Sequence, residues 1–245
     1  MTTAVVLAAG RGSRMGALTD PIPKPLLAVA GRPLITYVLG GLAAAGIDHV
    51  VLVTGYRGDQ IVAALGDGAA LGLRLSYCRQ SEPNGTATAL LLAAPLLGAR
   101  PFVVGWADIL VPHAFYREFV AAYAARPCAV QLAVNAVDDP WRGGAVYVEP
   151  DGRVTRVEEK PPRGSSTTGW NNAGLMYVTP AVLEYARRLA PSPRGEYELP
   201  LAIAQMIRAG CSAYAVPVRG PWSDVGTPAD LAAAATLFGS VRGEA

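Results

Sequence analysis

The sequence predicts an α/β fold in which a mostly parallel, twisted sheet is covered by helices on both faces, beside a smaller region that contains a β-hairpin. Through the first half of the chain, short apolar runs alternate with helical segments, which is typical of such a sheet. After about residue 140 this alternation gives way to a hairpin pattern. Hydrophobic residues make up 51% of the 245 residues, enough for a sizeable core. We therefore expect one domain over residues 1–245.

In the first half, continuous apolar runs are typical of strands that are buried on both faces of a parallel sheet. Four such runs predict strands: Thr3–Leu7, His49–Thr54, Leu73–Cys78 and Pro101–Trp106. Four segments predict helices: Leu34–Ala45, Gly58–Leu65, Thr86–Ala94 and Pro112–Ala125. Pro33 is suited to open the first of these helices and Gly46 to end it.

The second half begins with a hairpin signal. Gly144–Glu149 and Arg153–Glu159 flank Asp151 and Gly152, and an Asp-Gly pair favours a tight turn between two strands. The loop Pro161–Gly169 is rich in Pro, Gly, Ser and Thr and predicts no regular structure. The later elements that we predict are a strand, two helices and a strand: Ala173–Val178, Ala181–Leu189, Leu199–Ala209 and Ser212–Val218.

A last helix has a clear start signal. Thr227 is a good N-cap, Pro228 suits the first helical position, and Asp230 stands three residues after the cap. We therefore expect a helix that begins at this point.

Composition excludes several classes of protein. The net charge is +2 and no Lys/Arg block occurs, so neither a nucleic acid nor a membrane surface is indicated as a partner. Cys78, Cys128 and Cys211 lie far apart, which argues against a disulfide framework and favours the reducing cytoplasm. The sequence shows no signal-peptide pattern and no apolar run of about 18 residues, so we expect no spanning helix.

A glycine-rich turn, LAAGRGSRMG at residues 7–16, follows the first strand. Glycines let backbone N–H groups approach phosphate oxygens closely. Met15 stands where a dinucleotide fingerprint has its third glycine, and no Walker A lysine follows. By itself this run also fits a purely structural turn. Lys24 lies between Pro23 and Pro25, which restricts its backbone and suits a fixed charge, although an ordinary proline-rich loop has the same pattern.

Three segments together, LAAGRGSRM, PKPLL and GRPLI, resemble the signature region of the sugar-1-phosphate nucleotidyltransferases. That family includes glucose-1-phosphate thymidylyl- and uridylyltransferases and mannose-1-phosphate guanylyltransferases. Ser13 replaces the usual Thr and keeps the hydroxyl. The resemblance implies a Rossmann-like fold with a sugar-binding subregion around the hairpin. It also implies transfer of an NMP group from an NTP to a sugar 1-phosphate, with Mg²⁺ as cofactor and pyrophosphate as the second product.

The resemblance further implies a nucleotide-binding half over residues 1–110, and a sugar-phosphate-binding half with the C-terminal helix over residues 111–245. In the first half, Gly10, Gly12 and Arg14 would hold the nucleotide phosphates, and Lys24 would contact them during transfer. The segment QSEPNGTA, which begins at Gln80, resembles the base-binding segment, although by itself it also fits a polar loop that leads into a helix. A Gln amide can pair with N3–H and O4 of uracil or thymine, and also with the edge of guanine. The full implied nucleotide-binding set is Leu7, Ala9, Gly10, Gly12, Ser13, Arg14, Lys24, Gln80, Pro83, Gly85 and Thr86.

Two acids match the metal ligands of the family. Asp108 follows a predicted strand, where Trp106 and Ala107 replace the usual preceding Gly. Asp224 lies in WSDVGTP, which resembles the second metal element. Without the resemblance, an Asp after a strand is more often a helix cap or a turn residue. The implied catalytic set is Arg14, Lys24, Asp108 and Asp224, and the two acids are the implied metal ligands.

Three further residues match the part of the family pattern that binds the sugar phosphate. Glu159 and Lys160 lie in EEKP, and Asn172 lies in NAG. The resemblance implies that Glu159 and Asn172 contact the sugar and that Lys160 grips its phosphate, with Asp108 completing the sugar-phosphate set. From the residues alone, a charged strand end on the surface is the favoured interpretation of Glu159 and Lys160.

Other functions stay open at this stage. A non-catalytic module that binds a nucleotide-sugar for regulation is one alternative, and an enzyme acting on a cyclitol phosphate or phosphocholine is another. A dinucleotide-dependent dehydrogenase is disfavoured, because Val53, Thr54 and Gly55 stand where a ribose-binding acid is needed. The change at Trp106–Ala107 argues against plain glucose 1-phosphate. The sequence has no hexapeptide repeats, and the resemblance allows a homo-oligomer without indicating its subunit number.

Overall fold

The structure is a computed structural model that describes residues 2–239. Its strands, in chain order, are β1 (Thr3–Ala8), β2 (Ala28–Val29), β3 (Arg32–Pro33), β4 (His49–Thr54), β5 (Arg74–Arg79), β6 (Phe102–Trp106), β7 (Ile109–Leu110), β8 (Val130–Ala136), β9 (Gly144–Val148), β10 (Val154–Glu159), β11 (Trp170–Val178), β12 (Ala213–Pro217) and β13 (Ser223–Asp224). Its α-helices are α1 (Leu34–Ala44), α2 (Gly58–Leu65), α3 (Thr86–Ala93), α4 (His113–Ala125), α5 (Ala181–Arg187), α6 (Leu199–Arg208) and α7 (Pro228–Gly239).

Most of the predicted elements are present within one or two residues of their predicted ends. β11 is longer than predicted, since it begins at Trp170. The strand β8 was not predicted. Its sequence alternates Gln131 and Asn135 with apolar residues, as in a half-exposed strand, yet six of its seven residues are buried, including these two polar ones.

The chain forms two compact units. The first comprises residues 2–83, 105–118 and 220–239. In it, β1 pairs in parallel with β4, and β4 pairs in parallel with β5. α1 connects the first of these pairs and α2 the second, as βαβ crossovers require. Every residue of β4 is buried, which explains why its sequence is apolar along most of its length.

Short elements complete the first unit. β2 pairs with β3 and β7 with β13, both antiparallel. The predicted start of α7 is confirmed: the backbone N–H of Thr227 donates to Oδ2 of Asp230 at 2.8 Å, and the N–H of Asp230 donates to Oγ1 of Thr227 at 3.3 Å. This reciprocal pair is a capping box, which satisfies backbone N–H groups that the first turn of a helix leaves unpaired.

The second unit comprises residues 84–104 and 119–219. Its strands β8 and β11 are antiparallel, β12 runs parallel to β8, and β9 pairs with both β10 and β11. The predicted hairpin is confirmed as β9 and β10. Gly152 has φ +84°, a conformation that favours glycine in the turn between them.

The predicted α/β class is confirmed. Parallel strands with crossover helices form the sheet of the first unit, and the hairpin lies in a mixed sheet in the second. The two units do not follow chain order, because the first unit includes residues 105–118 and 220–239. The assignment of nucleotide binding to residues 1–110 and of sugar-phosphate binding to residues 111–245 stays a prediction. Among residues 2–239, no helix is both long and apolar enough to cross a bilayer.

Candidate active site

Lys24 is held in the first unit by a glycine on one side and an acid on the other. Only 7% of the residue is exposed, and its Nζ lies 2.6 Å from Oδ2 of Asp108. Gly12 has φ +70°, and a Cβ on it would lie 3.0 Å from the Cβ of Lys24. Together with the flanking Pro23 and Pro25, these contacts make the lysine a fixed charge rather than part of a loose surface loop.

Arg14 lies against a second glycine of the same unit. The residue is exposed, in a short 3₁₀ helix that begins at Ser13. A Cβ on Gly226 would lie 2.9 Å from Nη2 of Arg14 and 3.0 Å from its Cζ. Gly226 therefore gives the guanidinium room beside the backbone. The sequence predicted no contact between Gly226 and Arg14.

Asp108 and Asp224 are joined through the short pairing of β7 and β13, in which the N–H of Val225 donates to the carbonyl oxygen of Asp108 at 2.9 Å. Asp224 is accessible to solvent, yet neighbouring protein atoms remove part of its hydration. This desolvation, with the charge of Asp108 as second cause, raises its pKa to about 6, against the opposing charges of Lys24 and Arg14. The other three residues of the predicted catalytic set thus all act electrostatically on Asp224.

This group of residues fits a hard divalent cation. The charge of Asp108 makes ionisation of Asp224 more costly, and a cation placed between the two side chains would offset this repulsion. Within residues 2–239, no cluster of three or more His, Cys, Asp or Glu side chains could form an all-protein metal cage. Mg²⁺ commonly takes one or two carboxylates and completes its octahedron with water and phosphate oxygens. A Mg²⁺ ion held by Asp108 and Asp224 together with substrate stays a prediction.

The glycine-rich turn leaves β1 beside the end of β6. The carbonyl oxygen of Leu7 accepts a hydrogen bond from the N–H of Ala107 at 3.1 Å. Gly55 makes room for the carbonyl of Ala9, since a Cβ on Gly55 would lie 2.5 Å from that oxygen. A Cβ on Gly10 would meet no heavy atom within 4 Å. Packing therefore does not require a glycine at position 10, and open space for a ligand lies beside its backbone.

Gln80 and Pro83, two residues of the predicted base-binding segment, also belong to the first unit. Gln80 is buried directly after β5, and its N–H donates to the carbonyl oxygen of Thr54 at 2.7 Å. Its backbone therefore continues the sheet past the last strand residue, at the carboxyl end where α/β proteins bind ligands.

Gly85 and Thr86 belong to the second unit, where both have structural contacts. A Cβ on Gly85 would lie 2.3 Å from the carbonyl oxygen of Tyr197, and φ at Gly85 is +129°. Oγ1 of Thr86 accepts a hydrogen bond from the N–H of Leu199 at 2.8 Å. These contacts explain both residue types without a ligand, so contact with a base stays a prediction for them.

Glu159 and Asn172, the predicted sugar contacts of the second unit, meet at Gly144. A Cβ on Gly144 would lie 3.3 Å from Oε2 of Glu159 and 3.4 Å from the Cβ of Asn172. Lys160 is exposed, has a left-handed backbone with φ +46°, and donates its N–H to the carbonyl oxygen of Gly143 at 2.7 Å. The structure thus brings the three predicted acceptor residues of this unit together beside Gly143 and Gly144: Glu159 ends β10, Lys160 follows it, and Asn172 lies on β11.

Arg194 joins this group, although the sequence analysis missed it. Its Nε donates to Oε1 of Glu198 at 2.8 Å, and its Nη2 lies 3.7 Å from Oε1 of Glu159. Burial, with the charge of Glu198 adding to it, raises the pKa of Glu159 to about 7, while Lys160 and Arg194 oppose this rise. The spacing of four between Arg194 and Glu198, in a charged stretch between two predicted helices, was the available signal.

A family model described as nucleotidyl transferase matches residues 3–239. A glucose-1-phosphate thymidylyltransferase of Streptomyces antibioticus is 36% identical over 228 residues, which cover 93% of this chain and 64% of that protein. A mannose-1-phosphate guanylyltransferase of Mycobacterium tuberculosis is 33% identical over 231 residues, which cover 93% of this chain and 62% of that protein. The chain therefore spans less than two thirds of the length of these relatives.

A solved structure has the same fold. It is a Bacillus anthracis protein in complex with sucrose, provisionally identified as a glucose-1-phosphate thymidylyltransferase. Its TM-score is 0.89 at 27% identity, and the match covers 99% of this chain and 97% of that one. The family match and these relatives confirm the resemblance carried by the three opening motifs, and the chain belongs to the nucleotidyl transferase family of sugar-1-phosphate nucleotidyltransferases.

Proposed function

We propose that this chain transfers a nucleotidyl group from an NTP to a sugar 1-phosphate, giving an NDP-sugar and pyrophosphate in a Mg²⁺-dependent reaction. The observation that carries the proposal is the grouping of a buried lysine, two carboxylates and an arginine in the first unit, with Lys24 paired to Asp108 at 2.6 Å. Membership of the family supports it.

The reaction makes particular demands on the protein. A sugar phosphate oxygen is already an anionic nucleophile, so no general base is needed. It attacks the α-phosphorus in line, and pyrophosphate leaves from the opposite side. The barrier comes from bringing two polyanions together in the right geometry, so positioning and charge neutralisation supply the catalysis.

Three basic side chains bind different phosphates of the two substrates. Lys24, whose side chain is fixed, contacts the α-phosphate at which the bond forms and breaks. Arg14 neutralises the charge that develops on the departing β- and γ-phosphates. Lys160 binds the phosphate of the acceptor. A fixed cation loses little freedom when it meets its phosphate, so its attraction is retained for the transition state.

Asp108 and Asp224 would hold the Mg²⁺ ion, which when bound would neutralise charge on the phosphate oxygens. Asp108 directly precedes β7 and Asp224 lies on β13, which pairs with β7. Lys24 fixes the orientation of the Asp108 carboxylate before substrate arrives. Ion binding favours the ionised form of Asp224, because a positive charge lowers the pKa of a nearby carboxyl.

For the base we propose a pyrimidine, because the amide of Gln80 offers one acceptor and two donors that match N3–H and O4 of thymine or uracil. The buried place of Gln80 at the carboxyl end of the sheet supports a recognition role. The similarity to a thymidylyltransferase points the same way.

We also propose that the protein acts in the cytoplasm. Its three cysteines, Cys78, Cys128 and Cys211, are free thiols, as is usual in a reducing compartment.

The test is a matrix of NTPs against acceptors, read as pyrophosphate release by the purified protein. The nucleotides are dTTP, UTP, CTP, GTP and ATP; the acceptors are hexose 1-phosphates, inositol phosphate and phosphocholine. We expect release only when both substrates and Mg²⁺ are present, and its loss with EDTA. If pyrophosphate is released with phosphocholine or inositol phosphate but with no hexose 1-phosphate, the proposed acceptor class is wrong. Binding of a nucleotide-sugar without release from any pair would replace the enzyme with a regulatory module.

A further inference from the structure

Two buried amides face each other in the second unit, on strands β8 and β11. Asn135 and Asn171 are directly paired in the β-ladder, and Nδ2 of Asn171 donates to Oδ1 of Asn135 at 3.0 Å. The two residues are 7% and 5% exposed. A buried amide costs stability unless its polar atoms find partners, and apolar β-branched residues fill such strand positions more readily. The pair therefore invites a functional explanation.

Asn171 contacts the backbone beside two of the residues predicted to bind the acceptor, Asn172 and Lys160. Its Nδ2 also donates to the carbonyl oxygen of Asn172 at 3.0 Å, the residue predicted to contact the sugar. Its Oδ1 lies against Gly143, where an added Cβ would come within 2.2 Å of that oxygen. Gly143 in turn accepts the N–H of Lys160 at 2.7 Å. One side chain thus supports the backbone of Asn172 directly and that of Lys160 through Gly143.

The backbone of Lys160 needs this support. Its φ of +46° lies in the left-handed region, which a residue with a Cβ adopts only when its surroundings hold it there. The hydrogen bond to Gly143 is the contact that fixes its N–H. Gly143 can approach closely enough only because it lacks a side chain beside the amide of Asn171. The position of the Lys160 ammonium group therefore depends on the shape of that amide.

We propose that Asn171, held by Asn135, is a positioning residue for the acceptor: it sets the places of Lys160 and Asn172 without touching substrate itself. The inference rests on the proposed function for the identity of the acceptor as a sugar 1-phosphate. An apolar side chain of the same size would fill the space but would leave the carbonyl of Asn172 without this donor and would change the contact with Gly143.

The first experiment compares Asn171→Leu with a matched control. Gln131→Leu, on the same strand as Asn135, removes a buried hydrogen bond of another side-chain amide. Gln131 is 2% exposed, and its Nε2 donates to the carbonyl oxygen of Phe119 at 2.7 Å. For Asn171→Leu we expect the KM for the sugar 1-phosphate to rise by about tenfold, because small displacements of a binding group are costly. The KM for the NTP should stay within about twofold, as binding of the nucleotide does not use Lys160 or Asn172.

The control separates positioning from stability. Gln131→Leu should lower the melting temperature as Asn171→Leu does, while it leaves the acceptor KM unchanged. Equal effects of the two variants on acceptor KM, or an effect of Asn171→Leu on melting temperature alone, would overturn the proposal. Should Asn171→Leu fail to fold, Gly143→Ala tests the same contact from the other side, since its Cβ must displace the amide.

A double-mutant cycle of Gly143→Ala and Asn171→Ala then tests whether the two residues act together. Removing the amide relieves the clash with the new Cβ. The double variant should therefore lose less acceptor affinity than the two single variants lose together. Additive losses would overturn the proposed path from Asn171 to Lys160. Calorimetry with the same panel of hexose 1-phosphates distinguishes the two proposals. A wild-type protein that binds one of these sugar phosphates but releases no pyrophosphate disproves the proposed function alone, and one that binds none of them disproves both.

Discussion

Lys24 and Asp108, 84 residues apart in the sequence, form an ion pair of 2.6 Å in which the lysine is almost completely buried. Lys24 and Lys160 are the only two lysines of the sequence, in which the other 19 of the 21 basic residues are arginines. Both occupy positions predicted to contact phosphates. A lysine ammonium is a compact point charge, which suits a phosphate oxygen whose geometry changes during the reaction.

Lys24→Ala should reduce turnover by about 10²–10³-fold, the usual cost of losing one fixed charge that stabilises a transition state. We expect the far-ultraviolet circular dichroism spectrum to stay that of the wild type. Arg74→Ala, on an exposed position of β5, serves as a matched loss of a positive charge and should retain full activity. A Lys24→Ala protein with near-normal kcat would remove the central residue from the mechanism.

Asp224→Asn should reduce turnover by a similar factor, and the remaining activity should require a higher Mg²⁺ concentration. The amide keeps the shape of the side chain but lacks the charge that a hard cation prefers. The measurement is the rate of pyrophosphate release against Mg²⁺ concentration. Asp59→Asn is the control, since the side chain of Asp59 is 77% exposed. If Asp224→Asn shows the Mg²⁺ dependence of the wild type, Asp224 is not a ligand.

Gly226→Ala should raise the KM for the NTP several-fold, because its Cβ would lie within about 3 Å of the guanidinium of Arg14 and must move it. Gly98→Ala is the control: it meets no heavy atom within 4 Å and should change neither KM. Steady-state kinetics with each substrate varied in turn give the comparison. A Gly226→Ala enzyme with an unchanged KM for the NTP would show that Arg14 works without this support.

Glu159 should make stability depend on pH. Its pKa is raised from 4.5 to about 7, mainly by burial, so between these values the folded protein holds a proton that the unfolded chain has lost. The free energy of unfolding therefore falls as pH rises from 4.5 to 7, by at most about 3 kcal/mol from this group. Urea unfolding of the wild type and Glu159→Gln across this range measures it. The variant should lose less stability over the window, and parallel curves for the two proteins would contradict the assignment.

Local patterns predicted most of the elements, because helix and strand periodicity, caps and turn residues act within a few positions of one another. The capping box at Thr227 and the Asp-Gly turn of the hairpin are examples, and both are present. The missed strand β8 shows the limit. Its buried Gln131 and Asn135 obtain partners from distant segments, at Phe119 and Asn171, so their burial could not be inferred from neighbouring residues.

The sequence by itself determined the class of fold and the family, and it predicted the residues that carry the chemistry, because motifs and periodicity are local properties of the chain. The tertiary structure decided which of these residues meet. It set Lys24 against Asp108, Arg14 against Gly226, and Asn171 between Asn135 and Gly143. Such contacts depend on strand order and register over long separations, and the close approach of a side chain to a glycine becomes visible only when both backbones are placed.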